Sequence, residues 1–325
     1  MKKQLEKIKV SVICGVYNEE ETFEKHLQSL VDQSHKNKEI IIVDDGSKDS
    51  SGKIGKKFAK KYKFIKYNIL NHIDGYGCVR PRLEAIKKAK GEVYCMVDAD
   101  AYYEKDYIKN GIEMLFSDEK IGAVVPRMHF WNPRTFISKY KSLLYEIKFN
   151  NLDIINKEIN EAKHSPWILK KEVYNKVGGY NIKDAYCEDV RLAKRILDAG
   201  YKLVHNGNCH WHHKLEENPS DVIRKNFSIG RMHSTEKKFN LKTIAKNCFF
   251  LLPIIILVIS LFNYQFIILL LLHFISLSLN GLKVFMQARN IKGRIYAFYS
   301  PMVSYFVNIP SALGFIYGFI RPYKK

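Results

Sequence analysis

From Asn247 to Leu282 the chain carries no Asp, Glu, Lys or Arg. One straight helix over that length would reach roughly 54 Å, against a hydrocarbon core of about 30 Å. Asn263-Tyr264-Gln265 divides the stretch near its middle. The pattern predicts a tight hairpin of two short membrane helices, with one long tilted helix as the alternative. A second uncharged stretch, Ile295–Ile320, is rich in Tyr and Phe and interrupted by Pro301 and Pro310. It reads as a third span or as a broken re-entrant segment. Lys237, Lys238, Lys242 and Lys246 precede the hairpin, and Lys283, Arg289, Lys292 and Arg294 follow it. The positive-inside tendency puts both groups in the cytoplasm. Arg321, Lys324 and Lys325 prefer the same side, which favours re-entry. The expectation is a multi-pass protein of the cell membrane with its preceding domain in the cytoplasm.

That preceding region has a different rhythm. Short β-rich runs (Ile8–Cys14, Ile40–Val43, Phe64–Ile69, Val93–Val97, Ala123–Val125) alternate with helical spacing over Glu20–Asp32, Asp49–Tyr62, Val79–Lys90 and Asp106–Phe116. Strand–helix alternation predicts an α/β fold with a parallel sheet covered on both faces. Further on, Trp167-Ile168-Leu169 reads as a strand. Helical spacing covers Pro133 to about Ile155, Val190–Ala199 and the basic stretch Ser220–Lys237. The division expected is 1–235 for the α/β domain and 236–325 for the membrane region. With 46% hydrophobic residues in 325, a sizeable core is possible. The net charge of +20 suggests an anionic partner: nucleic acid, an anionic membrane surface or a phosphorylated substrate. The six cysteines form no C-x-x-C pair, which argues against a zinc ribbon or disulfide scaffold. Met1–Lys9 is polar, unlike a signal peptide.

In parallel sheets, ligands bind beyond the carboxyl ends of strands. Asp44-Asp45 and Asp98-Ala99-Asp100 both fall there, so one crevice can hold both. Two carboxylates two residues apart can hold a hard divalent cation. An acidic pair such as Asp44-Asp45 can accept hydrogen bonds from a nucleobase or ribose, or simply shape a turn. Tyr17-Asn18-Glu19 follows the first strand, with Asn18 a natural helix cap. Asp74-Gly75-Tyr76-Gly77 is not a dinucleotide fingerprint, because Arg80 stands where the third glycine belongs. Arg80 and Arg82 open a helix and can grip a phosphate or lie solvated on the surface. Glu188-Asp189 opens another helix, as structural first-turn acids or as a general base. If Cys209–His213 is a strand, His210 and His212 share one face and can complete a metal shell, or they flank Trp211 as structural histidines. Arg224 and Arg231 share a helix face that can close over a pyrophosphate or rest on anionic headgroups.

The order of these pieces is specific. The sequence resembles the family 2 glycosyltransferases, the inverting GT-A class, through Val12–Glu20, Ile41–Ser51, Arg82 with Ala89-Lys90-Gly91-Glu92, Asp98-Ala99-Asp100, Val177–Tyr180 and Cys187–Leu192. The resemblance covers about residues 8–235. It implies a mostly parallel twisted GT-A sheet flanked by helices, followed by C-terminal transmembrane helices. It also implies a UDP- or GDP-linked sugar donor. Tyr17, Asn18, Glu19, Asp44, Asp45, Arg82, Asp98 and Arg231 would contact that donor. Asp98 and Asp100 would hold Mg²⁺ or Mn²⁺ on the diphosphate. Asp189, beside Glu188, would deprotonate an acceptor hydroxyl that is lipid-linked or part of a saccharide. No enzyme nucleophile is required for such a single displacement.

The departures from the pattern narrow the reading. Pro81-Arg82-Leu83 keeps the Arg but not the Asn of the usual Ala-Arg-Asn. The Gln-x-x-Arg-Trp motif of processive synthases is absent. Tyr102 stands where the dolichol-phosphate mannose synthase group usually has Gln, so His210 or His212 becomes the expected third metal ligand. Monosaccharide transfer to polyprenyl phosphate is the alternative. A membrane-docked binding protein for anionic lipid or nucleic acid is the remaining rival. No aromatic–basic interleaving supports a nucleic-acid partner.

Overall fold

The computed structural model describes residues 2–73, 76–149, 156–160, 167–184, 188–234 and 241–321. Asp74, Gly75, Cys187, Lys237, Lys238, Lys324 and Lys325 lie outside them. The described chain divides into two units, 1–129 with 149–214, and 130–148 with 215–325. Against the expected boundary at 235, residues 130–148 and 215–234 group with the C-terminal helices.

In the first unit a short helix α1 (Lys2–Leu5) precedes β1 (Val10–Val16), α2 (Glu20–Val31), β2 (Lys38–Asp44), α3 (Ser51–Lys61), β3 (Ile65–Ile69), α4 (Val79–Lys87) and β4 (Val93–Asp98). These strands run parallel in the order β3-β2-β1-β4. β1 and β2 are buried almost throughout, as continuous apolar runs in a doubly covered parallel sheet must be. Helix α2 buries Phe23, His26, Leu27 and Leu30, the i, i+3, i+4, i+7 stripe visible in the sequence. The unit continues with β5 (Ala101–Tyr103), α5 (Tyr107–Leu115), β6 (Ile121–Phe130), β7 (Glu158–Ile159), β8 (Trp167–Lys170), α7 (Lys171–Lys176), α8 (Glu188–Asp198) and β9 (Lys202–His213). Among the pairings described, the parallel ones expected for most of the sheet join only its first four strands. Strand β8 inserts antiparallel between β4 and β6, and β5 and β7 pair antiparallel with β9.

The connection from β4 to β5 organises the site. These strands are far apart in the sheet order β3-β2-β1-β4-β8-β6-β9-β5, yet only Ala99 and Asp100 separate them in the chain. A segment that short spans at most about 10 Å. The sheet therefore curls until the β9–β5 ribbon returns to the end of β4. Ala101 pairs with His213 in that ribbon, so the end of β9 arrives beside Asp100.

The second unit holds α6 (Phe136–Phe149), α9 (Pro219–His233), α10 (Leu241–Ser260), α11 (Ile267–Gln287) and α12 (Ser300–Ile320). The predicted hairpin is present, α10 and α11 turning at 261–266. Tyr264–Gln287 and Arg294–Ile320 are long and apolar enough to cross a membrane, while the apolar part of α10, Ile244–Ser260, is shorter. The break anticipated at Pro310 does not occur: α12 runs through it as one helix, about 32 Å long by its rise per residue. Their apolar side chains are widely exposed, Leu261 and Phe262 by 84% and 88%.

Helix α9 joins this unit because it packs backbone to backbone along α12. A Cβ added at Gly230 would run into the Ser311 carbonyl, and one at Gly314 into the Phe227 carbonyl. Small residues at such crossings let helices approach closely. Gly314→Leu is therefore expected to lower the yield of folded protein and its unfolding temperature strongly. Leu313→Ala, at an exposed neighbouring position, is expected to leave both unchanged. Fluorescence-detected size exclusion and a thermal melt compare the two.

Candidate active site

The parallel register sets three strand ends level. Val16 pairs with Asp44, and Gly15 pairs with Asp98. Beyond these ends lies a crevice of about 350 Å³ lined by Tyr17, Glu19, Asp45, Arg82, Asp98, Asp100 and His213, among others.

One wall carries aromatic rings. Tyr17 stacks on His72 with centroids 4.1 Å apart and planes 9° from parallel. His72 Nδ1 lies 2.8 Å from Asp45 Oδ2, and Arg80 donates to Asp45 Oδ1 at 3.1 Å. Gly46, at φ +78°, makes the turn that allows this, since a Cβ there would meet the His72 backbone nitrogen. Asp44 takes no part in the crevice. Strand alternation turns its buried carboxylate the other way, where it accepts from the Tyr67 hydroxyl (2.6 Å) and the Ser47 amide (2.7 Å). Asn18 also differs from its expected role. At φ +54° it ties two loops together, its Oδ1 accepting from the Lys48 amide, while Glu19 precedes α2.

The opposite wall is the Asp98–Asp100 turn. Asp100 Oδ2 lies 3.1 Å from His213 Nε2. Burial, followed by the charge of Asp100, pushes the Glu19 carboxyl up to about 7. His210 and His212 are not at this turn. They project from the other face of β9: His210 Nδ1 is 3.0 Å from His129 Nε2, and His212 contacts Glu104 at 3.0 Å and stacks on Tyr102. The strand parity that makes these two share a face gives the crevice to His213. Among the described residues no three His, Cys, Asp or Glu side chains converge as a metal site.

Arg82 sits at the back, 2% exposed, and grips carboxylates rather than facing solvent. It donates to Asp98 Oδ1 at 2.5 Å and to Glu188 Oε1 at 3.3 Å, and its NH1 lies 3.9 Å from Asp189 Oδ1. Glu188 also accepts from the Cys78 thiol at 2.9 Å. The Tyr180 hydroxyl donates to Asp189 Oδ1 at 3.0 Å. Burial pushes the Asp189 carboxyl up to about 7, Arg82 opposing the rise and Glu188 and Asp98 adding to it. One guanidinium thus links the metal-type turn to the first turn of α8. Arg231 lies in the second unit, where its Nε donates to the Arg321 carbonyl and its guanidinium faces Tyr317. His72 and Tyr180 were not singled out as site residues in the sequence. The signal for His72 was its place just after a parallel strand.

Residues 11–178, just over half the chain, match the family model for glycosyl transferase family 2. The chain belongs to that family. Among curated relatives of this chain, the probable glycosyltransferase YdaM of Bacillus subtilis is 30% identical over 210 residues, 60% of this chain and 48% of that protein. Glycosyltransferase AglE of Haloferax volcanii is 28% identical over 232 residues, 68% of this chain and 72% of that protein. The chain thus spans about half the length of the Bacillus relative. The mannosyltransferase PcManGT of Pyrobaculum calidifontis, solved with GDP-Man and Mn²⁺, superposes with a TM-score of 0.57. It covers 97% of this chain and 92% of its own, at 18% identity, a likeness of fold. The mixed sheet with flanking helices is the GT-A arrangement, and two apolar C-terminal helices follow it.

Proposed function

We propose that this glycosyltransferase moves a sugar, with inversion, from a nucleotide-sugar donor to a hydroxyl of a lipid-linked or saccharide acceptor. The observation that carries this reading is the meeting at one crevice of three level strand ends, with Arg82 joining Asp98 to Glu188 and Asp189.

The nucleoside lies against the Tyr17–His72 wall. Asp45 keeps acceptor capacity beyond His72 and Arg80, because a carboxylate offers about four lone-pair sites. Tyr17→Ala and His72→Ala are each expected to weaken nucleotide binding about tenfold, as loss of one base-stacking partner does. Calorimetric titration with GDP and UDP measures it.

The donor set suits Mg²⁺ or Mn²⁺: carboxylate oxygens and one imidazole nitrogen from Asp98, Asp100 and His213, with open positions for phosphate oxygens. When bound, the cation stabilises charge on the departing nucleoside diphosphate. Asp189 takes the proton from the acceptor hydroxyl as that oxygen attacks the anomeric carbon and the bond to the diphosphate breaks. A carboxyl poised near 7 suits a general base at neutral pH. Tyr180 and Arg82 hold it in place, and Glu188 fixes Arg82.

The GDP-Man and Mn²⁺ named for the Pyrobaculum enzyme are the first pair to test. Within this reading the protein is multi-pass in the cell membrane, supported by the apolar helices α11 and α12 and the shorter apolar part of α10. Lys246, Lys283, Arg289 and Arg294 lie toward one end of these helices and support a cytoplasmic catalytic unit. Release of nucleoside diphosphate from a panel of GDP- and UDP-sugars, with and without Mn²⁺, tests the reading. Metal-supported release from at least one donor is expected. No release from any of them contradicts it.

A further inference from the structure

The helical unit contains a cavity of about 620 Å³ between α6, α10, α11 and α12. Its position follows from the topology. Lys246 is in the first third of α10, Ser276 near the middle and Asn280 in the second half of α11, and Ser304 and Asn308 in the first half of α12. Since α10 and α11 form a hairpin and α12 reverses direction again, these parts share one end of the bundle. That end carries the basic residues Lys246, Lys283 and Arg289.

The lining is two-sided in chemistry. Phe249, Leu277, Val303 and Val307 give an apolar wall. Asn280, Ser304 and Asn308 put amide and hydroxyl groups into largely apolar helices. Polar groups at such positions are costly in hydrocarbon and are kept where they meet a partner. Part of that need is met internally: Asn280 donates to Ser300, and Asn308 to the Ser304 carbonyl. Two ammonium groups complete the site. Lys246 is exposed. Lys141 pairs with Glu216 at 3.3 Å, and Glu216 also pairs with Lys225. Burial holds the Lys141 ammonium below its ordinary range, with Glu216 opposing the shift.

We infer that this cavity binds a phosphate-headed membrane lipid, with the phosphate at Lys246 and Lys141 and the first part of the chain against Phe249, Leu277 and Val307. A cationic end, a polar floor and an apolar wall match such a headgroup joined to its tail. The inference rests on the reading of α10–α12 as membrane helices, and it is independent of which sugar donor is used.

The test uses the full chain purified in an uncharged detergent, with native mass spectrometry and thermal unfolding as readouts. The probes are polyprenyl phosphate, phosphatidylglycerol, the phosphate-free polyprenol and inorganic phosphate. One or both phosphate lipids are expected to remain bound and raise the unfolding temperature, whereas polyprenol and inorganic phosphate do neither. Lys246→Ala, at an exposed position that should not disturb folding, is expected to weaken phosphate-lipid binding about tenfold, as loss of one charge-assisted contact does. Asn308→Leu serves as a second variant and is expected to reduce retention as well. Equal retention of polyprenol, equal stabilisation by inorganic phosphate, or unaltered lipid binding in both variants overturns the inference. Nucleotide binding measured on the same samples separates the two readings, since its failure counts against sugar transfer and not against the lipid site.

Discussion

Asp189→Asn is expected to lower turnover by about 10²–10⁴-fold, the range for loss of a general base, while nucleotide-sugar affinity stays unchanged. The split between turnover and affinity is the informative part. Asp189 contacts Tyr180 and Arg82, on the α8 side of the guanidinium, while the wall proposed for the nucleotide is built from Tyr17, His72 and Asp45. A similar loss in affinity would move Asp189 into donor binding.

The pH behaviour follows from the same carboxyl. Held at about 7, it is protonated below that pH and cannot accept the hydroxyl proton. Turnover is expected to fall as pH drops through about 7. Stability moves the opposite way. The folded value lies above the ordinary carboxylate value, so the contribution of Asp189 is fully present below that ordinary value and is lost as pH rises through about 7. At pH 8 the wild type buries a charge that Asn does not carry. Asp189→Asn is therefore expected to unfold at a higher temperature than wild type at pH 8, and by a smaller margin at pH 5. Paired melts at the two pH values measure this.

Arg82→Met is expected to destabilise the catalytic unit by about 3–5 kcal/mol, the range for removing one member of a buried ion pair. The guanidinium pairs with Asp98, Glu188 and Asp189, and the shape of methionine cannot replace its charge. The Asp189 carboxyl, which Arg82 now lowers, rises further. The residual activity should need a higher pH than wild type does. Arg82→Lys keeps one charge but not the fork that reaches carboxylates from two elements, so an intermediate loss is expected. A melt of each variant, with activity against pH for the lysine variant, separates charge from geometry.

These expectations rest on features that the sequence disclosed unevenly. The parallel half of the sheet was legible because apolar runs such as Val93–Val97 end abruptly at acidic residues, and strand–helix alternation permits few arrangements. The place of Asp45, Asp98 and Asp100 at one crevice followed from that. Parity was harder. Asp44 and Asp45 are neighbours, and only the side-chain alternation at the end of β2 decides which faces the crevice. His210, His212 and His213 pose the same problem, since sharing a face does not say which face meets Asp100. Arg82 was read at a helix start, where a phosphate grip or a solvated surface are the local alternatives. Its partners Glu188 and Asp189 lie more than a hundred residues away, so only the packed fold shows the charge cluster. The helical unit was legible in its hairpin but not in α9, whose spacing looked like a basic surface helix. Its membership depends on Gly230 and Gly314, where the absence of a side chain is the signal.

Titration of GDP and UDP into wild type and Asp100→Ala, each with and without Mn²⁺, tests most directly whether the crevice at the ends of β1, β2 and β4 is a metal-assisted donor site. Tight binding of at least one nucleotide only when Mn²⁺ is present, lost in Asp100→Ala, is the result predicted. Binding that ignores both the metal and Asp100, or no binding of either nucleotide, would contradict the account.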